Sequence, residues 1–470
     1  MSSRHATFLK LLPLFLSAVA LAACGGDGDT TPAHAGTPAP QPLLTLDGSA
    51  PLVIGHRGLP GLYPEETLPA YEGAADAGAD SLEEDIHMTR DCVLVARHNP
   101  WLSDNTNIAT IAQTNPTVAA RKRTTPGVMV DVAYDASVYG GPAQYLSDRI
   151  DPADPKSVLK ALVVDGEDHT NDWSITDFTA AELKQWIGGT TYDAAAQRPS
   201  ALNGQYPVLT MQEIIDIAKS KSTALGRTLT VYPEAKNPVW NDAQAIANGC
   251  GTGPHPYLDA FVKLIVDNHL NSKTAPIFVQ SFDPAALKYM RSIGLATRVV
   301  QLVDGNDVDY RTGAMIYRSD DAYNFVDGRP YSWTLAGDPR YFGDMLTPAG
   351  LQEIKTYADG IGPWKRYIVS IKGTIGADGK PVDVNKDGKI NDADATSTAP
   401  TSLIADAHKA GLFVHPFTFR NESRRLASDY NKDGKNEYGV YYKLGVDGVF
   451  TDFTDTALAA RADYLKSIGR

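Results

Sequence analysis

Short apolar segments rich in β-branched residues alternate along the chain with segments that carry hydrophobic residues at helical spacing. Helical spacing marks residues 65–79 and 210–220, and Thr210 with Glu213 forms a capping-box pattern at the start of the second segment. Alternation of this kind predicts a parallel α/β architecture. The predicted strands are residues 51–55, 81–87, 93–96, 229–234, 277–280, 297–302, 366–371, 412–415 and 448–451.

Three acidic side chains occupy or end predicted strands. Glu83 and Asp85 are two residues apart in one strand, so both point to the same face. If that face lines a closed barrel, the carboxylates are buried and a cation is their natural partner. Glu234 ends a later strand and would supply a third oxygen ligand. An all-oxygen set suits Ca²⁺ or Mg²⁺ better than Zn²⁺, and we favour Ca²⁺. The alternative is that Glu83 and Asp85 are solvent-exposed strand residues.

Two histidines follow apolar runs at the ends of the first and third predicted strands. His56 and His98 would therefore lie at the carboxyl ends of strands, where (β/α)₈ barrels carry their catalytic residues. Imidazole serves as general acid or general base near neutral pH. Together with the acidic trio, the pair indicates a hydrolytic site for a phosphate ester. The sequence leaves open which histidine is the acid.

Eight segments of the chain form a series of motifs: residues 55–58 (GHRG), 64–67 (PEET), 83–85 (EED), 95–99 (VARHN), 233–236 (PEAK), 279–282 (VQSF), 411–420 (GLFVHPFTFR) and 445–455 (GVDGVFTDFTD). In this order they resemble the glycerophosphodiester phosphodiesterase family, and in particular its larger periplasmic bacterial members. The resemblance implies a (β/α)₈ TIM barrel over residues 47–470, with long loop insertions. It also implies that a glycerophosphodiester and water are converted into sn-glycerol 3-phosphate and an alcohol.

The same resemblance implies roles for individual residues. His56 and His98 would form the acid–base pair, and Arg57 and Lys236 would hold the phosphoryl oxygens. Glu65 would orient Arg57 or contact the glycerol, or be an acid favoured by the start of a helix. The candidates for the pocket wall are Gln280, Phe282, Phe417 and Phe419, with core packing as the alternative for the aromatic residues, and His87 lies on the same strand face as Asp85.

Two positions depart from the family pattern. Glu66 stands where the family usually has Asn, and Asn99 stands where it usually has Asp. Neither is a proposed ligand or acid–base group, so the departures leave the predicted activity in place.

A second cation signal lies outside the predicted barrel site. Residues 383–394 follow a calcium-loop pattern, with Gly388 at the sixth position and an acid at the twelfth. The predicted structural Ca²⁺ would tie down an insertion, and the alternative is an Asx-rich turn without an ion. The residues at ligand positions are Asp383, Asn385, Asp387, Lys389 and Asp394.

A third loop repeats only the start of this pattern. Asp429, Asn431 and Asp433 recur at the first three ligand positions, but Val440 occupies the twelfth. Glu437 could close the loop differently. We therefore keep this loop as an open alternative rather than a predicted site.

The amino terminus indicates export. Residues 1–23 have a basic start and an apolar run too short for an ordinary transmembrane helix, as in a signal peptide. The run ends in Leu-Ala-Ala-Cys-Gly, which resembles the bacterial lipobox, so Cys24 would be the lipidated first residue of the mature protein. A plain secretory signal is the alternative. Residues 24–46 have the composition of a flexible tether. We expect a lipid-anchored protein of the bacterial envelope, facing the periplasm or the outer surface.

Composition narrows the partners further. The net charge is −13 and the pI about 5.2, which argues against general nucleic-acid binding. Cys92 and Cys250 could pair in an oxidising compartment, but the sequence does not give their separation.

Residues 103–176, 237–258 and 304–395 are predicted insertions. The last is rich in aromatic residues, which could bind a substrate head group or form a satellite core: Tyr310, Tyr317, Tyr323, Phe325, Tyr331, Trp333, Tyr341 and Phe342.

Two rival functions remain at this stage. A phospholipase of the same superfamily would act on an acylated or sphingoid lipid and would need a long apolar groove. A surface-binding lipoprotein would keep the fold with a vestigial site. The complete set of proposed catalytic and ligand residues argues against the second rival.

Overall fold

Eight parallel strands form the central barrel of the protein. The structure is a computed structural model that describes residues 41–126, 156–191, 198–317 and 328–470. Neighbouring strands pair in the order β14-β11-β8-β7-β6-β2-β1-β15. The barrel strands are β1 (Leu52–Gly55), β2 (Ser81–Met88), β6 (Thr230–Ala235), β7 (Phe278–Ser281), β8 (Arg298–Val303), β11 (Gly360–Pro363), β14 (Phe413–Val414) and β15 (Gly448–Thr451).

Backbone hydrogen bonds close the seam between β14 and β15. Asp447 N donates to Val414 O (2.9 Å) and Phe450 N donates to Pro416 O (3.1 Å). With this seam closed, the barrel has no open edge, and the predicted (β/α)₈ fold is confirmed. The other strands are β3 (Leu94–Ala96), antiparallel to β2, and the ribbons β4 (Val163–Val164) with β5 (Glu167–Asp168), β9 (Asp307–Val308) with β10 (Met315–Ile316), and β12 (Ile371–Gly373) with β13 (Ala395–Ser397).

Helices pack around the barrel and in its insertions. Those that follow barrel strands bury an apolar face against the outer side of the sheet, in the largest hydrophobic cluster. The helices are α1 (Leu68–Ala77), α2 (Ile108–Ala112), α3 (Pro116–Ala119), α4 (Ala180–Trp186), α5 (Met211–Leu225), α6 (Pro238–Ala247), α7 (Pro256–Asp267), α8 (Pro284–Ser292), α9 (Tyr331–Ala336), α10 (Pro348–Lys355), α11 (Leu403–Lys409), α12 (Gly434–Leu444) and α13 (Thr454–Ser467).

The inside of the barrel has an apolar layer below the polar residues of its mouth. Tyr232 of β6 stacks on Phe278 of β7, with ring centroids 4.7 Å apart. Ile54, Val300 and Phe450 complete this cluster. Because side chains alternate along each strand, Glu234 and Gln280, two residues beyond the stacked pair, also face inward but nearer the carboxyl ends. The layer therefore forms the floor of a cavity at that end.

Most predicted strands match observed ones, and two exceptions have a clear cause. The predicted strand at 366–371 is wrong, because the barrel strand is β11, which contains two glycines. A Cβ on Gly360 would lie 2.2 Å from the Phe413 ring, and one on Gly362 would lie 2.6 Å from Leu302 Cδ2. Close packing against neighbours thus requires glycine where strand propensity disfavours it. The segment at 93–96 forms a strand, but it is antiparallel to β2 and lies outside the barrel order.

One local prediction is confirmed, and the pairing of two cysteines that the sequence left open is seen in the structure. The capping box of α5 forms, since Thr210 Oγ1 accepts from Glu213 N and the Glu213 carboxylate accepts from Thr210 N. Cys92 and Cys250 form a disulfide with Cα atoms 5.4 Å apart. This bond links the turn between β2 and β3 to the segment after α6.

The aromatic residues predicted to bind a head group or to form a satellite core, from Tyr310 to Phe342, are packing residues wherever the structure describes them. Phe342, Tyr331 and Trp333 are buried, and Tyr317 stacks on Tyr341. None of them lines the cavity at the barrel mouth, so the satellite-core alternative is the one observed for them. Tyr323 and Phe325 lie outside the described residues.

The predicted signal peptide and Cys24 also lie outside the described residues. At the end of the predicted tether, Gln41 N donates to Ile468 O (2.9 Å) and Leu46 N donates to Asp447 Oδ1 (2.6 Å), so residues 41–46 contact the barrel domain. Within the described ranges, no helix combines the length and the apolar character needed to cross a membrane.

Candidate active site

The cavity at the carboxyl ends of the barrel strands brings most of the predicted site residues together. Its volume is about 490 Å³. Charged and polar side chains converge there from β1, β2, β6 and β7 and from the segment after β3. The predicted site residues that line it are His56, Arg57, Glu83, Asp85, His98, Glu234, Lys236, Gln280, Phe282 and Phe417.

The acidic trio is buried at the centre of this cavity. Glu83 and Asp85 of β2 and Glu234 of β6 offer ligand oxygens that all lie within 4.8 Å of one another. Asp85 pairs directly with Glu234 across the two strands, which sets their side chains together. Among the residues described here, no other group of three His, Cys, Asp or Glu side chains converges in this way. Burial and the charge of Asp85 raise the pKa of Glu83 well above its usual value, and burial raises the pKa of Glu234 to about 8.

Two basic side chains flank the trio. Arg57 Nε lies 2.9 Å from Asp85 Oδ2, while Lys236 Nζ lies 3.4 Å from Glu234 Oε1 and 3.7 Å from Asp85 Oδ1. Although burial opposes it, Lys236 and Arg57 hold the pKa of Asp85 below its usual range. When all three carboxylates are ionised, the two positive charges beside them leave one negative charge without a partner. The donors fit a hard divalent cation, because all three are carboxylate oxygens.

Glu65 orients Arg57. Its Oε2 accepts from Arg57 Nη1 (3.0 Å) and its Oε1 accepts from Asn105 Nδ2 (2.9 Å). Glu65 does not line the cavity, and α1 begins only at Leu68, so its position is explained by the contact with Arg57 rather than by a helix terminus. Arg57 itself has a left-handed backbone (φ 53°), from which its N–H donates to Glu83 Oε2 (2.8 Å).

The two departures from the family pattern, Glu66 and Asn99, each hold a neighbouring group, and Asn99 also lines the cavity. Glu66 Oε1 accepts from Asp85 N (2.8 Å), so this residue braces the backbone of a predicted ligand. Burial and the nearby charge of Asp85 raise the pKa of Glu66 well above its usual value. Asn99 is buried and donates from Nδ2 to Asp104 Oδ2 (2.6 Å). Both residues therefore support neighbours of the cavity.

His56 is held by a carboxylate that sequence reasoning missed. Its Nδ1 lies 2.6 Å from Asp452 Oδ1, which leaves Nε2 as the ring nitrogen for a substrate. Asp452 Oδ2 also accepts from Arg198 Nη2 (2.6 Å) and Arg420 Nε (3.0 Å). Burial and the charge of Arg57 lower the pKa of His56. The available signal was position, because Asp452 directly follows the last barrel strand.

His98 reaches the cavity from a different element than expected. The prediction that it ends the third barrel strand is wrong, because β3 folds back on β2 as an antiparallel partner. Arg97 N then donates to Asp85 O (2.7 Å), which places His98 beside the acidic trio. Burial and the charges of Arg57 and Lys236 lower its pKa well below the usual value. His87 does not line the cavity; it is fully buried, with Nε2 3.3 Å from His98 O and Nδ1 2.8 Å from Asn241 Nδ2.

The predicted pocket-wall residues divide into two groups. Gln280 Nε2 donates to Glu83 Oε1 (3.1 Å), while Phe282 and Phe417 face the cavity. Phe419 does not line it. Its ring is fully buried between the barrel and α12, where it stacks on Tyr438 (centroids 5.0 Å apart) and meets Tyr441 edge-on (4.8 Å). Core packing, the alternative stated for this residue, is therefore what is observed.

The first predicted calcium loop forms a series of Asx turns at the surface. Gly388 N donates to Asp383 Oδ2 (2.8 Å), Asp387 N donates to Asn385 Oδ1 (2.9 Å) and Lys389 N donates to Asp387 Oδ1 (2.9 Å). Asp394, at the twelfth position, accepts from the backbone N–H groups of Val384, Asn385 and Asn391. Ion binding by this loop stays a prediction.

The third loop, which contains Asp429, Asn431 and Asp433, is engaged in other contacts. Asp433 caps the start of α12 by accepting from Lys435 N (3.0 Å), and Asp429 Oδ1 accepts from Ser397 N (2.9 Å). Glu437 is fully buried and its carboxylate lies 2.8 Å from Lys365 Nζ. The suggestion that Glu437 closes this loop is therefore wrong, because Lys365 draws its carboxylate into the protein interior. Asn431 has a left-handed backbone (φ 56°) in the turn between these residues.

A parallel barrel with an acidic trio, two flanking cations and two histidines at its mouth defines a phosphoesterase-like class of site. Comparison with known proteins gives the family. Residues 56–334 and 365–456 match the sequence model described as the glycerophosphoryl diester phosphodiesterase family. The chain belongs to this family.

Full-length relatives agree with this assignment. Glycerophosphodiester phosphodiesterase GDPD6 of Arabidopsis thaliana is 30% identical over 457 residues, which cover 95% of each chain. Glycerophosphodiester phosphodiesterase of Haemophilus influenzae is 22% identical and covers 89% of this chain and 90% of its own. Among solved structures, an Oleispira antarctica phosphodiesterase in complex with sn-glycerol 3-phosphate has a TM-score of 0.44 at 15% identity, and the matched region covers 88% of this chain and 98% of that one.

Proposed function

We propose that this protein hydrolyses glycerophosphodiesters to sn-glycerol 3-phosphate and an alcohol. His56 and His98 act as the acid–base pair, and Glu83, Asp85 and Glu234 hold a divalent cation, with Ca²⁺ favoured over Mg²⁺. The observation that carries the proposal is the convergence of three carboxylate oxygens within 4.8 Å at a cavity lined by both histidines. Family membership and the names of the full-length relatives support the same reaction.

Electrostatics explain how the cavity would receive a phosphodiester. Arg57 and Lys236 line the cavity beside the acidic trio and would present donors for the phosphoryl oxygens. When bound, the cation would add Lewis-acid stabilisation of the charge that develops on those oxygens. Glu65 and Gln280 fix the geometry, because one holds Arg57 and the other holds Glu83. Charge stabilisation of this kind is usually the largest catalytic contribution.

The histidines would supply proton transfer on either side of the phosphorus. The Asp452 carboxylate fixes the ring of His56 at Nδ1, so Nε2 is the atom that exchanges a proton with the reacting group. The lowered pKa values of His56 and His98 would keep a neutral imidazole available as a base at neutral pH. In one route water attacks the phosphorus directly and the alcohol leaves. In the other, the neighbouring glycerol hydroxyl attacks first, the alcohol leaves with formation of a cyclic phosphate, and water then opens that cyclic phosphate.

The observed cavity favours hydrolysis of a glycerophosphodiester over the phospholipase alternative. A phospholipase would need a long apolar groove for its acyl or sphingoid chain. The cavity measures about 490 Å³, a size suited to a small ligand, and charged side chains surround its centre. The binding-protein alternative gains no support, because every proposed catalytic and ligand side chain is present and converges.

We further propose that the enzyme works in the bacterial envelope. The lipobox-like segment supports a lipid anchor on Cys24 after a signal peptide at residues 1–23, with residues 24–46 as tether. The disulfide between Cys92 and Cys250 is compatible with an oxidising compartment. Metabolic labelling with a fatty acid, compared between the natural chain and Cys24→Ala, tests the anchor; labelling that survives Cys24→Ala would contradict it.

One assay tests the proposed reaction. The form that begins after residue 24 is incubated with glycerophosphocholine after EDTA treatment, then with Ca²⁺ or Mg²⁺ restored, and glycerol 3-phosphate is measured. We expect turnover that depends on the cation and is lost in His56→Ala. His269→Asn is the matched control, because His269 is exposed and Asn tolerates its left-handed backbone (φ 59°). Absence of turnover with either cation would refute the proposal.

A further inference from the structure

One side of the cavity mouth is built from the ends of consecutive barrel strands. Phe282 follows β7, Asp304 follows β8, Trp364 follows β11, and Phe417 lies just beyond β14. Each of the four lines the cavity and is only partly buried. We call Phe282, Trp364 and Phe417 the aromatic corner. Partly exposed rings that share one cavity with an acid are a surface suited to a ligand rather than to core packing.

The rings of the aromatic corner are held in fixed positions. Phe282 and Phe417 meet edge to face, with centroids 5.7 Å apart and an interplanar angle of 90°. Trp364 pairs with Phe417 through a parallel bridge, and it sits so close to Gly305 that a Cβ there would approach Cε3 to 3.1 Å. The Phe282 ring centroid lies 5.9 Å from Lys236 Nζ. The corner therefore begins directly beside the proposed phosphate-binding lysine.

Two carboxylates next to this corner have no basic partner. Asp304 Oδ1 accepts only from the Gly305 backbone N–H (2.8 Å), and Asp165 Oδ2 accepts from Asn237 Nδ2 (2.7 Å) while its Oδ1 has no hydrogen-bond partner. Neither forms an ion pair with any residue that the structure describes. Burial raises the pKa of each to about 7, and the charge of Lys236 partly opposes this rise in both. Both acids line the same cavity as Lys236.

Most basic residues of the cavity wall are already paired with acids. Lys365 Nζ lies 2.8 Å from Glu437, Arg366 Nη2 lies 2.7 Å from Asp392, and Arg420 Nε lies 3.0 Å from Asp452. Arg425 is the exception on this wall, since no carboxylate of the described residues pairs with it. Asp304 and Asp165 are thus carboxyl groups of the cavity wall that have no basic partner among the described residues, and a cationic ligand would favour their ionised form.

We propose that the aromatic corner and Asp304 form the subsite for the alcohol product and select alcohols that carry an ammonium group, quaternary above primary. This inference rests on the proposed function and names its substrate class. A cation gains from the faces of aromatic rings and from a nearby unpaired carboxylate, whereas a neutral polyol gains from neither. A quaternary ammonium is weakly hydrated, so it suits the apolar corner best. Asp165 adds a second negative charge on the same side of the cavity.

The first experiment compares two diesters that differ only in the alcohol. For the full-length protein, kcat/KM is measured on glycerophosphocholine and on the diester of two glycerols. We expect a ratio of at least about tenfold in favour of the choline diester, the size of one cation–π contact. A ratio near one, or below one, would overturn the proposal while leaving the hydrolytic function intact.

The second experiment separates charge from shape and does not need turnover. Binding of choline and of 3,3-dimethylbutan-1-ol, its neutral isostere, is measured by calorimetry on the full-length protein. Choline is expected to bind about tenfold more tightly. Equal affinity of the two alcohols, or no binding of either, would overturn the proposal. If neither diester is hydrolysed but choline binds selectively, the subsite stands and the proposed function fails.

Variants locate the effect. Asp304→Asn and Phe282→Leu, which preserve shape and most of the volume, are expected to lower the ratio of the two kcat/KM values by about fivefold or more. The controls are Arg425→Gln on the same cavity and Asp267→Asn on the outer surface of α7, and both should keep the ratio. A ratio that is unchanged in Asp304→Asn and Phe282→Leu, or one that depends on Arg425, would overturn the assignment.

Discussion

The protein contains two acidic clusters that the sequence marks as cation sites, and the structure treats them differently. Glu83, Asp85 and Glu234 are at most 5% exposed and converge on one point. In the loop at 383–394, Asp387 is exposed and Asp383 is partly exposed, and their oxygens accept backbone N–H groups of the loop itself. The loop has the more complete sequence motif, whereas the barrel trio has the stronger electrostatic need for a cation.

The difference shows what a motif leaves out. A carboxylate that already accepts several hydrogen bonds and faces water gains little from an ion. In the barrel trio Lys236 and Arg57 keep Asp85 ionised, but burial raises the pKa of Glu83 and Glu234, so these two carboxyl groups need a cation to carry their charge at neutral pH. Burial and the number of donors that a carboxylate already has are therefore better guides to function than spacing alone.

The largest expected effect separates the two clusters by activity. His56→Ala and Glu83→Gln are each expected to lower kcat/KM by about a thousandfold or more, because they remove the proposed proton-transfer group or a cation ligand. Asp387→Asn in the loop should change it by less than about twofold. Turnover of glycerophosphocholine is measured for all three at saturating Ca²⁺. A loop variant as inactive as the barrel variants would erase the contrast.

The second prediction uses pH. In the cation-free protein burial raises the pKa of Glu234 to about 8, so this carboxyl group carries a proton at neutral pH, and burial with the charge of Asp85 also raises the pKa of Glu83. A divalent cation must displace the proton of Glu234, and its affinity should rise with pH up to about 8, roughly tenfold per unit for each proton lost. Calorimetry in two buffers with different ionisation enthalpies counts the protons.

Glu234→Gln should reduce this proton release, and Asp387→Asn should leave it unchanged. Binding that releases no protons at pH 6.5 would mean that the cation does not occupy the barrel trio.

The third prediction concerns stability without the cation. Folding raises the pKa of Glu234 from its ordinary value of 4.5 to about 8, so its contribution to stability is complete below about pH 4.5 and is lost as pH rises through 8. The cation-free protein should therefore lose stability from this group across that interval. Glu234→Gln should raise Tm by several degrees at pH 8.5 and by little at pH 5. Calorimetric scans in EDTA measure both.

Added Ca²⁺ should remove the difference between the natural chain and Glu234→Gln at pH 8.5, because it neutralises the same charge. If Glu234→Gln were less stable than the natural chain at that pH, the carboxylate would have a partner that the structure does not show.

The barrel was accessible from the sequence because apolar segments alternate with helical ones and because side chains alternate along strands. The alternation of side chains alone predicts that Glu83 and Asp85 share one face of their strand. It failed for β11, where Gly360 and Gly362 are required by close neighbours rather than by strand propensity. It also could not show that β3 folds back on β2, since an apolar run does not encode strand direction.

The residues missed or misassigned at the site depend on contacts distant in sequence. Asp452 lies 396 positions from His56, the residue it orients, and no local pattern announces that pairing. The family resemblance made Phe419 a candidate for the pocket wall, with core packing as the alternative, and its ring packs against α12. Tertiary contacts decided both cases.

The smallest expected effect tests the loop directly. Asp394 at the twelfth position already accepts three backbone N–H groups, so it is poorly placed to chelate an ion with both oxygens. We expect the loop to bind Ca²⁺ only at about millimolar concentration, as weak extracellular loops do.

In Glu83→Gln, where the barrel site is disabled, Ca²⁺ at a concentration equal to the dissociation constant of the loop would add about 0.4 kcal/mol to the free energy of unfolding. Asp387→Asn in that background should remove even this increment, which is measured as the shift of Tm with Ca²⁺. Micromolar binding that survives Glu83→Gln and disappears in Asp387→Asn would instead make the loop the stronger cation site, and the argument from burial would fail.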